Sequence, residues 1–352
     1  MLVIIGLLVI YATSFKATKL VSLSDLWHQM VFAVVGMGGL IFMARTDYRA
    51  WYRVTPWLYG GTLALLVIVL LTSKSILGAQ RWIDLGFFNF QPSEFAKLVL
   101  IVVLAKYFSK NYDRMHEFKY LLGSIALLAV PMLLVMRQPD LGTALVLVAI
   151  WVAMALVART SKWQLAGLTG LGLALMPFML SHLKDYQKAR LEVFLNPQVD
   201  PLGAGHNVIQ STITIGSGQI FGRGLAAGSQ SQLNFLPSLA QHTDFIFAVL
   251  NEKLGFVGGI LLLGLFGVLI YRLVKVAYEA QDRFGMFIGV GVAAMILFHV
   301  FINAGMNMGI APVTGIPLPF VSYGGTAMLV SLAAIGLVQS VALRRKKLQF
   351  EG

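Results

Sequence analysis

Cysteine is absent from all 352 residues, which excludes disulfides, thiolate nucleophiles and cysteine-ligated metals. Histidine is scarce: the six residues are scattered without HExxH or similar spacing, so a structural metal site is not expected. Charge is sparse as well. Asp, Glu, Lys and Arg together make 12% of the chain against 58% hydrophobic residues, and the mean hydropathy is +0.78. A water-soluble domain of this length cannot have that composition; it is that of an all-α polytopic membrane protein. Acidic residues are few relative to basic ones, 15 against 27, for a net charge of +12. The excess does not form one patch but falls between apolar runs, where membrane topology accounts for it, so no nucleic acid partner is expected.

What is abundant is apolar sequence, in about ten runs: 2–13, 31–44, 57–71, 95–108, 121–136, 141–158, 165–180, 245–271, 286–303 and 327–343. Several are shorter than the ~20 residues a bilayer requires, so polar flanks and aromatic belts must complete them. The first has neither a basic leader nor a small-residue cleavage pattern and reads as a retained helix. With ten spans both termini share one side. One alternating set of connections holds Arg45, Arg49 and Arg53; Lys106, Lys110, Arg114 and Lys119; Arg159 and Lys162; Arg272, Lys275 and Arg283; then Arg344, Arg345, Lys346 and Lys347. The positive-inside rule makes this set cytoplasmic. The opposite, external set holds Lys16, Lys19, Lys74, Arg81 and Arg137 and carries both irregular stretches, a long loop at about 181–244 and a Pro- and Gly-rich one at about 303–326. The whole, 1–352, reads as one membrane-embedded domain.

The external stretches carry the candidate chemistry. Gln241-His242-Thr243-Asp244 ends the long loop where the eighth span begins, and Glu252 lies about two turns deeper on roughly the same helical face. Ionisable groups at membrane depth are costly and usually face a cavity or the bundle interior. Asp is also a favoured N-cap, so Asp244 suits capping as well as catalysis. Gln91-Pro92-Ser93-Glu94 is a helix start, placing Glu94 and Lys97 as i,i+3 neighbours, either a structural pair or a cavity wall. Arg81 beside Trp82 suits interfacial anchoring or bidentate phosphate binding. Gln138-Pro139-Asp140 reads as a turn into the sixth span.

Within the long loop, Lys184 to Leu195 reads as a short amphipathic surface helix bearing Arg190. Beyond it, Gly203, Gly205, Gly216, Gly218, Gly222 and Gly224 punctuate a stretch, including Arg223, expected to be too flexible for a continuous helix. The run Asn303 to Thr326, with Pro312, Gly315, Pro317, Pro319 and Ser322, is expected to fold in against protein or a wet cleft, unless it is an ordinary stiff turn.

These motifs together resemble the SEDS family (shape, elongation, division and sporulation) of bacterial cell-wall polymerases. The residues carrying the resemblance are Arg81-Trp82-Ile83, Gln91-Pro92-Ser93-Glu94 with Lys97, Gln138-Pro139-Asp140-Leu141-Gly142-Thr143, His242-Thr243-Asp244-Phe245-Ile246-Phe247 with Glu252, and Gly315-Ile316-Pro317-Leu318-Pro319-Phe320 running into Ser322-Tyr323-Gly324-Gly325. The run from Gly228 to Pro237 is closer to the rod-shape branch than to the division branch. Ser238-Leu239-Ala240 and Lys253 depart from the usual pattern.

The resemblance implies an inverting glycosyltransferase that polymerises lipid II, the undecaprenyl-diphosphate-linked disaccharide pentapeptide, into β-1,4 glycan on the external face during elongation and cell-shape maintenance. Asp244 would be the catalytic base. Arg81, Glu94, Lys97, Arg190, Arg223, His242, Thr243, Glu252 and Ser322 would bind the diphosphate or line the cavity, with or without a divalent cation such as magnesium or manganese. Expected partners are a class B penicillin-binding protein transpeptidase, other elongation-complex membrane proteins and membrane lipids. A flippase for the same lipid is the alternative. It needs a polar path reaching both faces, whereas here the irregular segments gather on one.

Overall fold

The computed structural model of the chain describes residues 1–13, 24–72, 81–84, 86, 89–181, 185–200, 204–225 and 241–345. Each of the ten apolar runs falls in a helix: α1 (Leu2–Thr13), α2 (Ser24–Arg45), α3 (Tyr48–Thr72), α4 (Pro92–Asn111), α5 (Phe118–Arg137), α6 (Leu141–Val157), α7 (Lys162–Ser181), then α10 (Ile246–Tyr278), α11 (Arg283–Asn307) and α12 (Gly325–Leu343). Between α7 and α10 lie α8 (Asp185–Leu195) and α9 (Ala204–Ser217). Two short strands, β1 (Ile83–Asp84) and β2 (Asn89–Phe90), pair antiparallel before α4. Among the described residues, α2, α3, α5, α10, α11 and α12 are long and apolar enough to cross a membrane, while α1 and α6 are shorter apolar helices. The chain is a multi-pass, all-helical membrane protein.

Local chemistry sets the helix starts. Gln91 is extended (φ −107°, ψ 103°) and Pro92 opens α4, where its missing N–H costs nothing. Asp140 caps α6 by accepting from the Thr143 amide at 3.1 Å and the Thr143 hydroxyl at 2.9 Å.

Two compact units cluster in the chain: residues 1–33, 167–268 and 299–324 make one, and residues 34–166, 269–298 and 325–352 the other. In the second, α4 is buried along most of its length and packs against α3, α5, α6 and α12. Trp57, Leu71 and Phe42, by contrast, are exposed. Large apolar side chains facing outward are what a lipid-facing surface requires.

The first unit differs from expectation in one respect. Gly205 and Gly216 lie inside α9, one residue from either end, and Gly218 directly follows it, so the punctuated stretch holds a 14-residue helix; Gly203 lies outside the described residues. The helix expected over Lys184 to Leu195 is present as α8, without a marked apolar face; Lys184 itself lies outside the described residues. In α10, Gly255 (φ 69°, ψ −170°) breaks the ladder, and the main chain of 219–224 fills the gap. Arg223 and Gly224 amides donate to the Glu252 and Lys253 carbonyls, while Phe256 and Val257 amides donate to Gln219 and Ile220 carbonyls. Helix ends otherwise leave such groups orphaned. Only glycine fits: a Cβ on Gly255 would meet the Gly222 nitrogen at 2.3 Å.

Candidate active site

The His242-Thr243-Asp244 segment belongs to the first unit, and its backbone is held at every step. The His242 carbonyl accepts from the Tyr323 amide at 2.7 Å, and the Thr243 carbonyl from the Ser322 hydroxyl at 2.6 Å. The Asp244 carbonyl accepts from two side-chain amides of α11, Asn303 Nδ2 at 3.1 Å and Asn307 Nδ2 at 2.9 Å. Both amides must present nitrogen there, because a carbonyl oxygen can only accept. With that carbonyl taken by side chains, the first helical bond of α10 runs from Val249 to the Phe245 carbonyl. Phe245, not Asp244, therefore occupies the cap position. Asp244 itself is half-buried, between buried Gln241 and buried Phe245.

The irregular run 308–324 lies against this segment. Ile316, Leu318, Phe320 and Val321 are buried. Ser322 ties the run to itself by accepting from the Leu318 amide at 2.8 Å. Gln29 of α2 donates to the Ser322 carbonyl at 3.0 Å and accepts from the Gly324 amide at 3.2 Å. Gly315 (φ 73°) faces the candidate base: a Cβ there would lie 3.6 Å from Asp244 Oδ2. Behind it, His299 bonds the Pro317 carbonyl through Nδ1 at 3.0 Å, and Asn303 Nδ2 donates to the Ile316 carbonyl at 2.8 Å.

His242 is fixed from α1. Its Nδ1 lies 2.8 Å from the Thr13 hydroxyl, which also lies 2.7 Å from the Ile10 carbonyl. Glu252 is fully buried deeper in α10, next to buried Lys253. Arg190 of α8 and Arg223 are exposed, and Arg223 Nε donates to the Ser217 carbonyl at 2.8 Å.

The remaining predicted residues lie in the second unit. Arg81 donates to the carbonyls of Gln138, at 3.1 Å, and Pro139, and stands 3.8 Å from the Asp140 carboxylate. That engagement ties down the end of α5. Asp140 also accepts from the side chains of Gln91 and Ser93 at 3.2 and 3.3 Å, so the two family motifs meet at one buried carboxylate. Lys97 and Glu94 pair at 2.7 Å, both almost wholly buried.

Sequence reasoning missed His299, Asn303, Asn307, Gln29 and Thr13. The first three stand at i, i+4 and i+8 in an otherwise apolar helix, a one-face spacing that could have revealed them. The Gly228–Pro237 run, Ser238-Leu239-Ala240, Lys16, Lys19, Lys74, Lys184, Lys346 and Lys347 lie outside the described residues.

Comparison with known proteins agrees with this fold. The family model of the FtsW, RodA and SpoVE cell cycle proteins matches residues 1–347. The peptidoglycan glycosyltransferase MrdB of Escherichia coli K12 is 42% identical over 318 residues, 89% of this chain and 84% of its own. Among solved structures, a chain from a peptidoglycan synthase complex that coordinates polymerization and crosslinking superposes with a TM-score of 0.82 at 32% identity, over 98% of this chain and 97% of its own. The rod shape determining protein RodA of Thermus thermophilus gives 0.71 at 29% identity, over 98% and 94%. The chain therefore belongs to the FtsW/RodA/SpoVE family of cell cycle proteins.

Proposed function

We infer that this membrane protein, a peptidoglycan glycosyltransferase, polymerises lipid II with Asp244 as general base. The 4-hydroxyl of an acceptor sugar attacks the anomeric carbon of the donor. The new O–C bond forms as the bond to the diphosphate breaks, inverting an α linkage to β-1,4, and the hydroxyl proton passes to the Asp244 carboxylate. A positioned base of this kind contributes about 10²–10⁴-fold. The diphosphate leaves without protonation and needs charge neutralisation instead. Arg190 and Arg223, exposed in the same unit as Asp244, are suited to it, while Arg81 and Lys97 are buried or part-buried in the second unit. His242, Thr243 and Ser322 act through the backbone they hold, and Glu252 is the buried carboxylate one step deeper.

The observation that carries this reading is the half-buried Asp244 carboxylate on a segment whose three successive carbonyls are all hydrogen-bonded. Among the described residues no group of three His, Asp or Glu side chains could hold a metal ion. A magnesium or manganese ion would instead arrive with the diphosphate, bound mostly by phosphate oxygens and water with one protein carboxylate.

Catalysis takes place on the external face of the bacterial cytoplasmic membrane, with both termini cytoplasmic. Supporting this, Arg159 and Arg283 share the Asp113 carboxylate, which joins three of the connections that the positive-inside rule makes cytoplasmic. The chain works beside a class B penicillin-binding transpeptidase and other elongation proteins. The likeness to a chain of a complex that couples polymerization to crosslinking supports that partnership.

The test is Asp244→Asn in the purified full chain with lipid II. Glycan synthesis should fall by about 10²-fold or more while thermal stability and lipid II binding stay near wild type. Polymerisation within a few fold of wild type would overturn the base assignment and turn attention to Glu252.

A further inference from the structure

The α11 asparagines are more than packing. Asn303 and Asn307 are both fully buried, and both give a donor to the one carbonyl of Asp244, saturating its two lone pairs. Asn307 uses its second N–H on the Asn303 carbonyl at 2.8 Å, so its amide plane is fixed from two directions. Its other end reaches the external loop. The buried Ser211 hydroxyl of α9 lies 3.1 Å from Asn307 Oδ1 and 2.9 Å from the Asn307 carbonyl. One side chain thus joins α9, α11 and the start of α10 at the peptide that carries the candidate base.

The helix ladder of α10 begins one residue after Asp244, at the Phe245 carbonyl. The Asp244 carbonyl is held instead by Asn303 and Asn307, as the preceding Thr243 carbonyl is by Ser322. Ser211 bonds both the carbonyl and the side-chain oxygen of Asn307, so a shift of α9 has a route to residue 244 through this residue.

We propose that Asn307 is a positioning residue for the polymerisation reaction, fixing the Asp244 peptide and coupling its position to α9 through Ser211. The proposal rests on Asp244 being the base, and its test separates the two ideas. Asn307→Ala should lower kcat by about 100-fold, the usual cost of a misplacement near 1 Å, with KM for lipid II changed by less than about twofold. Ser211→Ala keeps both amide bonds to Asp244 but releases α9, and should lower kcat several fold. The double variant should be no slower than Asn307→Ala alone, since both act through one amide.

A second measurement does not depend on catalysis. The native chain has no thiol, so an Asp244→Cys variant carries a single one. Its alkylation rate by a membrane-impermeant maleimide, in proteoliposomes, reports how residue 244 is held. Adding Asn307→Ala should change that rate several fold, and adding Ser211→Ala should change it in the same direction. Should Asp244→Asn prove active, the base reading falls, while the alkylation rates still decide the positioning. Unchanged alkylation in both backgrounds, or losses in kcat that multiply in the double variant, would overturn the proposal. If Asn307→Ala does not fold, Ser211→Ala alone decides by the same two readouts.

Discussion

Removing one member of the Glu94–Lys97 pair should harm the protein more than removing both. The ions meet at 2.7 Å with 4% and 1% of their surfaces exposed, inside the helix that the second unit packs around. At an effective dielectric near 20, two unit charges at that separation attract by about 6 kcal/mol. Desolvation takes back several kcal/mol per ion, so the intact pair is close to neutral relative to apolar packing. Glu94→Gln or Lys97→Met alone strands a buried charge, at ~3–5 kcal/mol each. The double change strands none and should cost about 1 kcal/mol, giving a coupling well above the ~0.5 kcal/mol scatter of independent sites. Unfolding of the four proteins in mixed detergent micelles, followed by tryptophan fluorescence, measures the cycle. Single losses that sum to the double loss within that scatter would refute the reasoning.

Other outcomes follow from particular contacts. Gly255→Ala should destabilise strongly, because φ 69° and the 2.3 Å approach of Gly222 leave no room for a methyl, and cleavage by added protease near 219–224 should accelerate. Gly315→Ala adds left-handed backbone strain of ~1–2 kcal/mol and a methyl against Asp244, so activity should fall further than stability. The hydrogen bond from Arg283 holds the Asp113 carboxyl below its ordinary 3.8, so the pair's contribution is complete above about pH 4 and lost as pH falls through the lower folded value. The stability gap between wild type and Asp113→Asn should accordingly close on acidification below pH ~4, and shrink in high salt. For orientation, a cysteine replacing exposed Phe221 should react with an impermeant thiol reagent in spheroplasts and one replacing exposed Lys110 should not; the reverse labelling would invert the topology.

Much of the architecture was readable from periodicity alone because the bilayer enforces it: an apolar run must be a helix when no water is present to satisfy its backbone. Pro92 and Asp140 marked helix starts for reasons internal to their own residues, a missing donor and a capping carboxylate. The Glu94–Lys97 pairing followed from spacing on one helix. What the sequence could not supply was anything joining distant segments. Glycines around α9 read as flexibility, yet Gly218 and Gly222 are small because the broken middle of α10 passes against them. Arg81 read as an interfacial anchor ahead of a phosphate ligand, and it is the approach of the Gln138 and Pro139 carbonyls that occupies its guanidinium. His242 and Asp244 were visible as motif residues, but the contact that fixes the His242 ring comes from Thr13, 229 positions away, and the hold on the Asp244 carbonyl from Asn303 and Asn307. Sequence patterns report which face of one element is apolar; which carbonyl a buried amide reaches is decided by the packing of elements far apart in the chain, and only the tertiary structure contains that.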